Sequence, residues 1–175
     1  YTAVDQIAIG VQGAPQARFD TSQTTTVRAG SGFSNSLRVD CTTAEAAVAA
    51  GESHYLHRNI EAQDLQHLLY GNAAAKTITV QFDFRSPKTG THCVAAYSPD
   101  GNRSYVREFT IASANTFEHF STTFPGDVSG TINNDTGVGL SLIWPLTAGA
   151  TFQTTANAWA AGEFYATSNQ QNLLD

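Results

Sequence analysis

Between residues 76 and 124 apolar and polar positions alternate with a period of two. Ile78, Val80, Phe82 and Phe84 share one side, and Thr77, Thr79, Gln81, Asp83 and Arg85 share the other. β-branched and aromatic residues at that period predict a strand with one buried face. Pro87-Lys88-Thr89-Gly90 supplies turn chemistry, and a second run covers Thr91 to Tyr97. Ser98-Pro99-Asp100-Gly101-Asn102 predicts a tighter turn, because Pro presets φ and Asp-Gly accommodates positive φ. In the third run Tyr105, Phe109 and Ile111 lie on one side, interrupted by Arg107; in the fourth Phe120 and Phe124 do, before Pro125-Gly126-Asp127. Strands recurring every ~8–12 residues between polar turns predict an all-β sandwich or barrel.

The flanking chain follows the same period. Ile7, Ile9 and Val11 oppose Ala8, Gly10 and Gln12 until Gly13-Ala14-Pro15. Short strands are predicted around Phe19 and over Thr24–Val27, then a turn at Gly30-Ser31-Gly32, then a half-buried strand over Ser36–Cys41. Residues Ala44–Ala50 suit a helical turn or a loop. His54–Ile60 is a strand with Leu56 and Ile60 inward. Leu65, Leu68 and Leu69 are spaced i, i+3, i+4, the stripe of an amphipathic helix, and Gly71 stands where a left-handed cap belongs. Val138, Leu140, Leu142, Trp144 and Leu146 alternate with smaller residues. Pro145 lacks an N–H, which places that end at an edge or outside the ladder. Asn157–Gly162 reads as one helical turn and Glu163–Ala166 as a last short strand. The predicted core is Ile78, Val80, Phe82, Phe84, Leu140, Leu142 and Trp144, in one domain spanning residues 1–175 without repeat or linker.

Several pieces, taken in order, resemble the carbohydrate-binding-module-like β-sandwich domain of tail-fibre and other structural proteins of tailed bacteriophages. They are Leu68-Leu69-Tyr70-Gly71 leading into Ala73-Ala74-Ala75-Lys76, Phe84-Arg85-Ser86 with Lys88-Thr89-Gly90-Thr91, and Asn102-Arg103-Ser104-Tyr105. Ala114-Asn115-Thr116-Phe117-Glu118, Pro125-Gly126-Asp127 with Ser129-Gly130-Thr131, Gly137-Val138-Gly139-Leu140 and Ala158-Trp159-Ala160 follow. The resemblance runs from about residue 34 to about residue 168. It implies a jelly-roll sandwich with one short helix, carried on a virion. Phe117 stands where that family usually has Trp, and the family usually has one more strand beyond the equivalent of Asp175.

Composition narrows the partners. Charged residues are 14% of 175 and the net charge is -6, which disfavours a nucleic-acid partner. No apolar run approaches a membrane span, and no signal-peptide pattern is present. The chain contains no Met, so it reads as a processed product, a fragment or part of something longer. Two cysteines, Cys41 and Cys93, make no disulfide framework; the alternation of Cys41 with Leu37 and Val39 predicts a small buried residue.

Candidate chemistry is sparse. His54 and His57, three apart in one strand, fall on opposite faces, while His67, His92 and His119 lie on separate elements, so no metal site is expected. Asp83, Glu108 and Glu118 read as solvent-facing and form no facing pair of the kind glycoside hydrolysis needs. No G-x-S-x-G elbow, P-loop or G-x-G-x-x-G is present. No catalytic residue and no cofactor are expected, apart from a structural calcium for which Asn133-Asn134-Asp135-Thr136 and Asp100-Gly101-Asn102 offer oxygens. Asn102-Arg103-Ser104 and Asn134-Asp135-Thr136 match the glycosylation sequon, without meaning in a bacterial host. Tyr55, Tyr97, Trp159 and Tyr165 are candidates for a sugar platform, each an apolar ring with a polar tip; the competing role is the covering of core edges or an oligomer interface.

Two readings result. In the first, the resemblance implies a non-enzymatic virion protein (tail fibre, head fibre or capsid decoration) binding other virion proteins and host-surface polysaccharide. In the second, the chain is the carbohydrate-binding module of a secreted polysaccharide-degrading enzyme. The first also leads us to expect a homo-oligomer, most simply a trimer, with an open sheet edge covered along Ile7–Val11 and Phe164–Asp175.

Overall fold

The computed structural model describes residues 2–4 and 6–175, with side chains from Gln6 onward. Its strands are β1 (Thr2–Val4), β2 (Ile7–Gln12), β3 (Arg18–Thr24), β4 (Ser36–Thr43), β5 (Ser53–Glu61) and β6 (Ile78–Phe84). They continue with β7 (Gly90–Ser98), β8 (Arg103–Ile111), β9 (Glu118–Phe124), β10 (Val138–Ala148) and β11 (Trp159–Ala161). Seven form one antiparallel sheet in the order β1-β2-β5-β10-β7-β8-β11; β3–β4 and β6–β9 are separate antiparallel pairs. The all-β sandwich predicted from the alternation is the observed architecture.

The pairs β6–β9 and β3–β4 both lie on one face of the large sheet. Over the first, Val94, Ala96, Tyr105, Leu140 and Leu142 meet Ile78, Val80, Phe82 and Phe124. Phe82 sets its edge against Phe109 at 5.2 Å and Trp144 at 5.6 Å. Thr79 and Gln81 are exposed, so the predicted register of β6 holds. Arg107, the interruption in β8, lies over the Tyr105 ring and donates to the Thr123 carbonyl at the rim. Over the second pair, Leu56 and Leu146 meet Ala17, Phe19 and Val39.

The opposite face of the sheet is covered as well. Cys93, Ala95, Val106 and Ile143 pack beneath Tyr165, Ala166, Phe152 and Phe164 of the chain that follows β10. This explains β7, where His92, Cys93, Val94, Ala95 and Ala96 are all buried in succession. A strand covered on both faces loses its alternation, and small side chains let both layers approach.

The C-terminal segment also enters the plane of the sheet. β10 pairs with β7 only over Ser141–Ile143. Beyond that the two strands diverge, and Pro145 stands outside their ladder, as its missing N–H requires. Residues 170–173 fill the wedge: Gln171 N–H donates to the Thr91 carbonyl, Leu173 N–H to that of Leu146, and Gln170 Nε2 to that of Pro145. Leu174 is then buried and its carbonyl accepts from Glu45 N–H. The edge expected to lie open along Phe164–Asp175 is thus occupied by the chain itself. The outer strands of the sheet are the three-residue β1 and β11, and short edge strands offer little backbone for pairing.

Several local expectations are corrected. The helix is a 3-10 helix over Ala62–Leu68 whose buried residues are Ala62, Leu65 and Leu68. Residues three apart eclipse in that geometry, so Leu69 turns out to solvent and itself takes the cap position at φ 56, while Gly71, two residues on, is left-handed as expected at φ 80. Asn157–Gly162 contains strand β11, paired to β8, and Glu163–Ala166 makes only one bridge, Gln153 to Ala166. Residues Thr25–Val27 lie outside β3. Cys41 is exposed, because alternation fixes which side a residue faces and not whether anything lies beneath it.

Candidate functional site

The tyrosines reveal how the second face is built. Tyr55, on β5, lies with its ring over Gly10 of β2; a Cβ at that glycine would approach the ring to 2.1 Å. The Tyr55 ring also meets Tyr165, 4.6 Å between centroids, and His57 at 5.5 Å. Tyr165 is fully buried, stacks on Phe152 at 5.2 Å and donates its hydroxyl to Glu163 Oε1. Burial first, and then the Glu163 hydrogen bond, push its hydroxyl pKa well up. A ring covered by Tyr55 and Phe152 offers no face to a sugar, so Tyr165 is a core residue and leaves the platform. Tyr97 is half-buried on the same side and donates to Asn102 Oδ1 at 3.4 Å; burial, then the charge of Glu163, raise its pKa. Trp159 sits on the other side of the sheet, edge-on to Tyr70 and Tyr105, with Nε1 donating to the Pro125 carbonyl at 2.8 Å. The structure therefore joins Tyr55, Tyr97 and Tyr165 and separates Trp159.

Trp159 belongs to a corner built from the residues that carry the family resemblance. Arg103 Nε donates to Asp127 Oδ2 at 2.5 Å, and Asp127 is 1% exposed. Asp127 also accepts from Ser129 N–H through Oδ1 and from Gly71 N–H through its carbonyl. Gly71 packs on the Gly130 carbonyl, Gly126 on the Ala75 backbone and Gly130 on the Asp127 carboxylate, each closer than a Cβ allows. Burial, and secondly the Asp127 charge, raise the Tyr70 hydroxyl to about 12. The ion pair is structural: Asp127 is buried and both its carboxylate oxygens accept from the protein.

Several other titratable groups are held by the protein or buried in it. Asp83, expected in solvent, has a side chain only 11% exposed and accepts from Arg28 Nε and His119 Nδ1, both at 2.8 Å. Burial would raise its pKa, but those two partners outweigh it and hold the carboxyl below its usual range. Glu118 Oε1 accepts from the Ala112 and Ser113 N–H groups at 2.9 Å. His54 and His92 are buried, and burial lowers both pKa values. His92 Nε2 donates to the Lys88 carbonyl. Burial also pushes the Cys93 thiol up to about 11. The two loops that offer oxygens for calcium meet, with Asp100 accepting from Asn133 N–H and Nδ2. No group of three metal-ligating side chains occurs among the described residues, and no helix among them is long and apolar enough to cross a membrane.

One recess on the tail-covered face has polar walls. It is an open cleft of about 710 Å³ between β8 and the segments 153–157 and 167–169, within the roughly 300–1,000 Å³ usual for ligand sites. Glu108 stands in it with Oε1 accepting from Thr167 Oγ1 at 2.5 Å and from Asn169 Nδ2 at 3.0 Å. Asn157 Oδ1 accepts from Arg107 Nη1 at 2.5 Å. Of these residues the sequence singled out only Glu108. The available signal was composition: Gln153-Thr154-Thr155 and Thr167-Ser168-Asn169 are two runs of hydroxyl and amide side chains in a stretch without strand alternation.

Comparison with known proteins adds little. No family model matches the chain, and no curated protein matches it. Among solved structures it is similar to the enzymatically active domain of tailspike protein 4 of Bacteriophage CBA120, at 13% identity. The match covers 80% of this chain and 18% of that one, with a TM-score of 0.46. At that level the likeness assigns neither fold nor activity.

Proposed function

We propose that the chain is a non-enzymatic structural module of a tailed-bacteriophage particle, in a tail fibre, a head fibre or a capsid decoration. In this reading it packs against other virion proteins as a homo-oligomer, most simply a trimer, and presents its tail-covered face to host-surface glycan. The observation that carries it is the corner around Arg103 and Asp127. Residues 68–71 with 73–76, 102–105, 125–131 and 158–160, four of the seven pieces that resemble the phage domain, are separate in the sequence. They meet around one buried ion pair. The convergence of four such pieces on one corner supports a shared scaffold. The non-enzymatic part rests on placement: Asp83 Oδ1 is shared by Arg28 and His119, Glu118 Oε1 by two backbone N–H groups, and neither acid lines the cleft in which Glu108 stands, so the three form no facing pair.

Two measurements test this. Mass spectrometry and antibody-labelled electron microscopy of purified particles should find the chain in the virion, in copy numbers that are multiples of three. A chain absent from particles and secreted beside a hydrolase would replace this reading with the carbohydrate-binding module of a polysaccharide-degrading enzyme. Bacterial surface polysaccharides incubated with the protein should release no reducing ends; release that disappears in Glu108→Gln would refute the non-enzymatic part.

A further inference from the structure

We propose that the cleft around Glu108 binds a neutral, polyhydroxylated chain (an oligosaccharide segment without acidic groups), with Glu108 as its central acceptor and Thr155 and Asn169 on its walls. This rests on the glycan half of the reading above and replaces the tyrosine platform as the place of contact.

Three observations converge on that chemistry. First, the walls carry hydroxyl and amide groups with a single carboxylate, and the cleft is lined by no Lys or Arg. Arg107, the nearest cation in the chain to Glu108, is committed to Asn157, the Thr123 carbonyl and the Tyr105 ring. A polyanion would meet Glu108 without compensation, whereas sugar hydroxyls donate to a carboxylate, and such charge-assisted bonds are the stronger kind.

Second, the acceptor is held before any ligand arrives. Thr167, 4% exposed, donates to Glu108 Oε1, and Asn169 donates to the same oxygen. Oε2 has no hydrogen-bond partner among the described residues. One carboxylate oxygen is thereby fixed by the protein and the other remains for a ligand, which reduces the ordering cost of binding.

Third, the walls are anchored to the sheet. Thr154 N–H donates to the Ala166 carbonyl, Asn157 N–H to that of Val106, and Gln153 Nε2 to that of Ala148. Asn157 takes a left-handed conformation at φ 69, which turns the chain at the end of the cleft. The hydroxyl and amide groups are presented by a rigid surface even though the segment has little regular structure.

The experiment uses the full chain and four neutral probes: tetrasaccharides of glucose, galactose, mannose and N-acetylglucosamine, with heparin tetrasaccharide as the acidic control. Amide NMR titration should show at least one neutral probe shifting residues 153–157, 108 and 167–169, and heparin shifting none of them. Glu108→Gln preserves an acceptor for Thr167, so the fold is retained; it should weaken binding roughly 10- to 100-fold, the usual range for a bond to a charged group. Thr155→Arg, at an exposed wall position, should abolish binding by filling the cleft. Tyr97→Ala should leave affinity unchanged. The inference is overturned if no neutral probe shifts the cleft at millimolar concentration, if the shifts map to Tyr55 and Tyr97, or if binding survives both cleft variants. None of those results bears on whether the chain is found in particles, and absence from particles would leave the cleft measurement intact.

Discussion

The two faces of the seven-stranded sheet bury their residues by different means. One face is covered by β3–β4 and β6–β9, strands whose own side chains alternate in register with those beneath. The other is covered by the largely irregular chain after β10, which makes one three-residue strand, a single bridge and a series of isolated backbone hydrogen bonds. Over β6–β9 the first face is sealed by interlocking aromatic rings, and beside β3–β4 it keeps a recess lined by Ile9, Val11, Ala17, Phe19 and His54. The second has one anchor cluster, Tyr165 with Phe152 and Tyr55, and beside it the polar cleft. Within each pair the ladder fixes the strand spacing, and the recess on that face opens where β3 meets the loop after β2 and is mostly apolar. A segment that touches down at points leaves gaps, and there polar side chains remain available. Surface function is accordingly sought on the side with less regular structure.

The comparison is sharpest in core truncations. Phe124 and Tyr165 are both fully buried, one on each face. Phe124→Ala should cost about 3–5 kcal/mol in urea unfolding, the usual loss for a buried aromatic. If the tail-covered face is part of the same cooperative unit, Tyr165→Ala should cost as much. A loss below about 1 kcal/mol with unchanged urea dependence would mean that the tail detaches on its own, and the two faces would then differ in stability as well as in construction.

Leu174→Ala tests the wedge. The side chain is 1% exposed against Ala17 and Leu146. A cost of about 2–3 kcal/mol is expected, at the lower end of the range for Leu because a chain end can settle into the space. Hydrogen exchange at Gln171 and Leu173 should speed up in this variant, while exchange in β6 and β9 should not.

Gly10→Ala probes the second face from beneath. The added Cβ would meet the Tyr55 ring, and relief by ring movement should limit the cost to about 1–3 kcal/mol. Tyr55 would then shift against Tyr165, which near-ultraviolet circular dichroism would register. An unchanged spectrum and full stability would show that Tyr55 does not rest on Gly10.

The smallest expected effect is on pH dependence. Burial lowers the pKa values of His54 and His92 below 6.5. The unfolded chain therefore takes up these protons first, so this contribution is complete above about pH 6.5 and falls as the pH falls through the window down to the folded values. Asp83, depressed by Arg28 and His119, loses its contribution at lower pH, as the solution passes below 3.8 towards its folded value. Stability measured from pH 7 downward should thus decline in two stages. His92→Gln should flatten the first and leave the second. An unaltered first stage in both His92→Gln and His54→Gln would assign it to other groups.

The sequence alone determined the all-β class, the register of β6 and, in β5 and β10, the residues of one face; that β10 is buried on its other face too, with Pro145 paired to Tyr55 of β5, was not legible. What was legible follows from local rules: a period of two, a turn that needs positive φ. Local rules fail where burial comes from elsewhere in the chain. β7 lost its alternation because a segment some seventy residues later covers its second face. The stripe at Leu65 and Leu68 was read with the wrong period, since a 3-10 helix and an α-helix share the i, i+3 spacing and differ only at Leu69. Cys41 was assigned a side correctly and a depth incorrectly. Tyr165 looked like a surface ring because nothing nearby in sequence predicts Phe152 above it and Tyr55 beside it. The cleft was the least legible feature. Glu108, Asn157 and Asn169 carry no motif, and only the return of the tail across β8 sets the first among hydroxyl and amide groups. Periodicity reports which way a side chain points, and tertiary structure decides what it meets there.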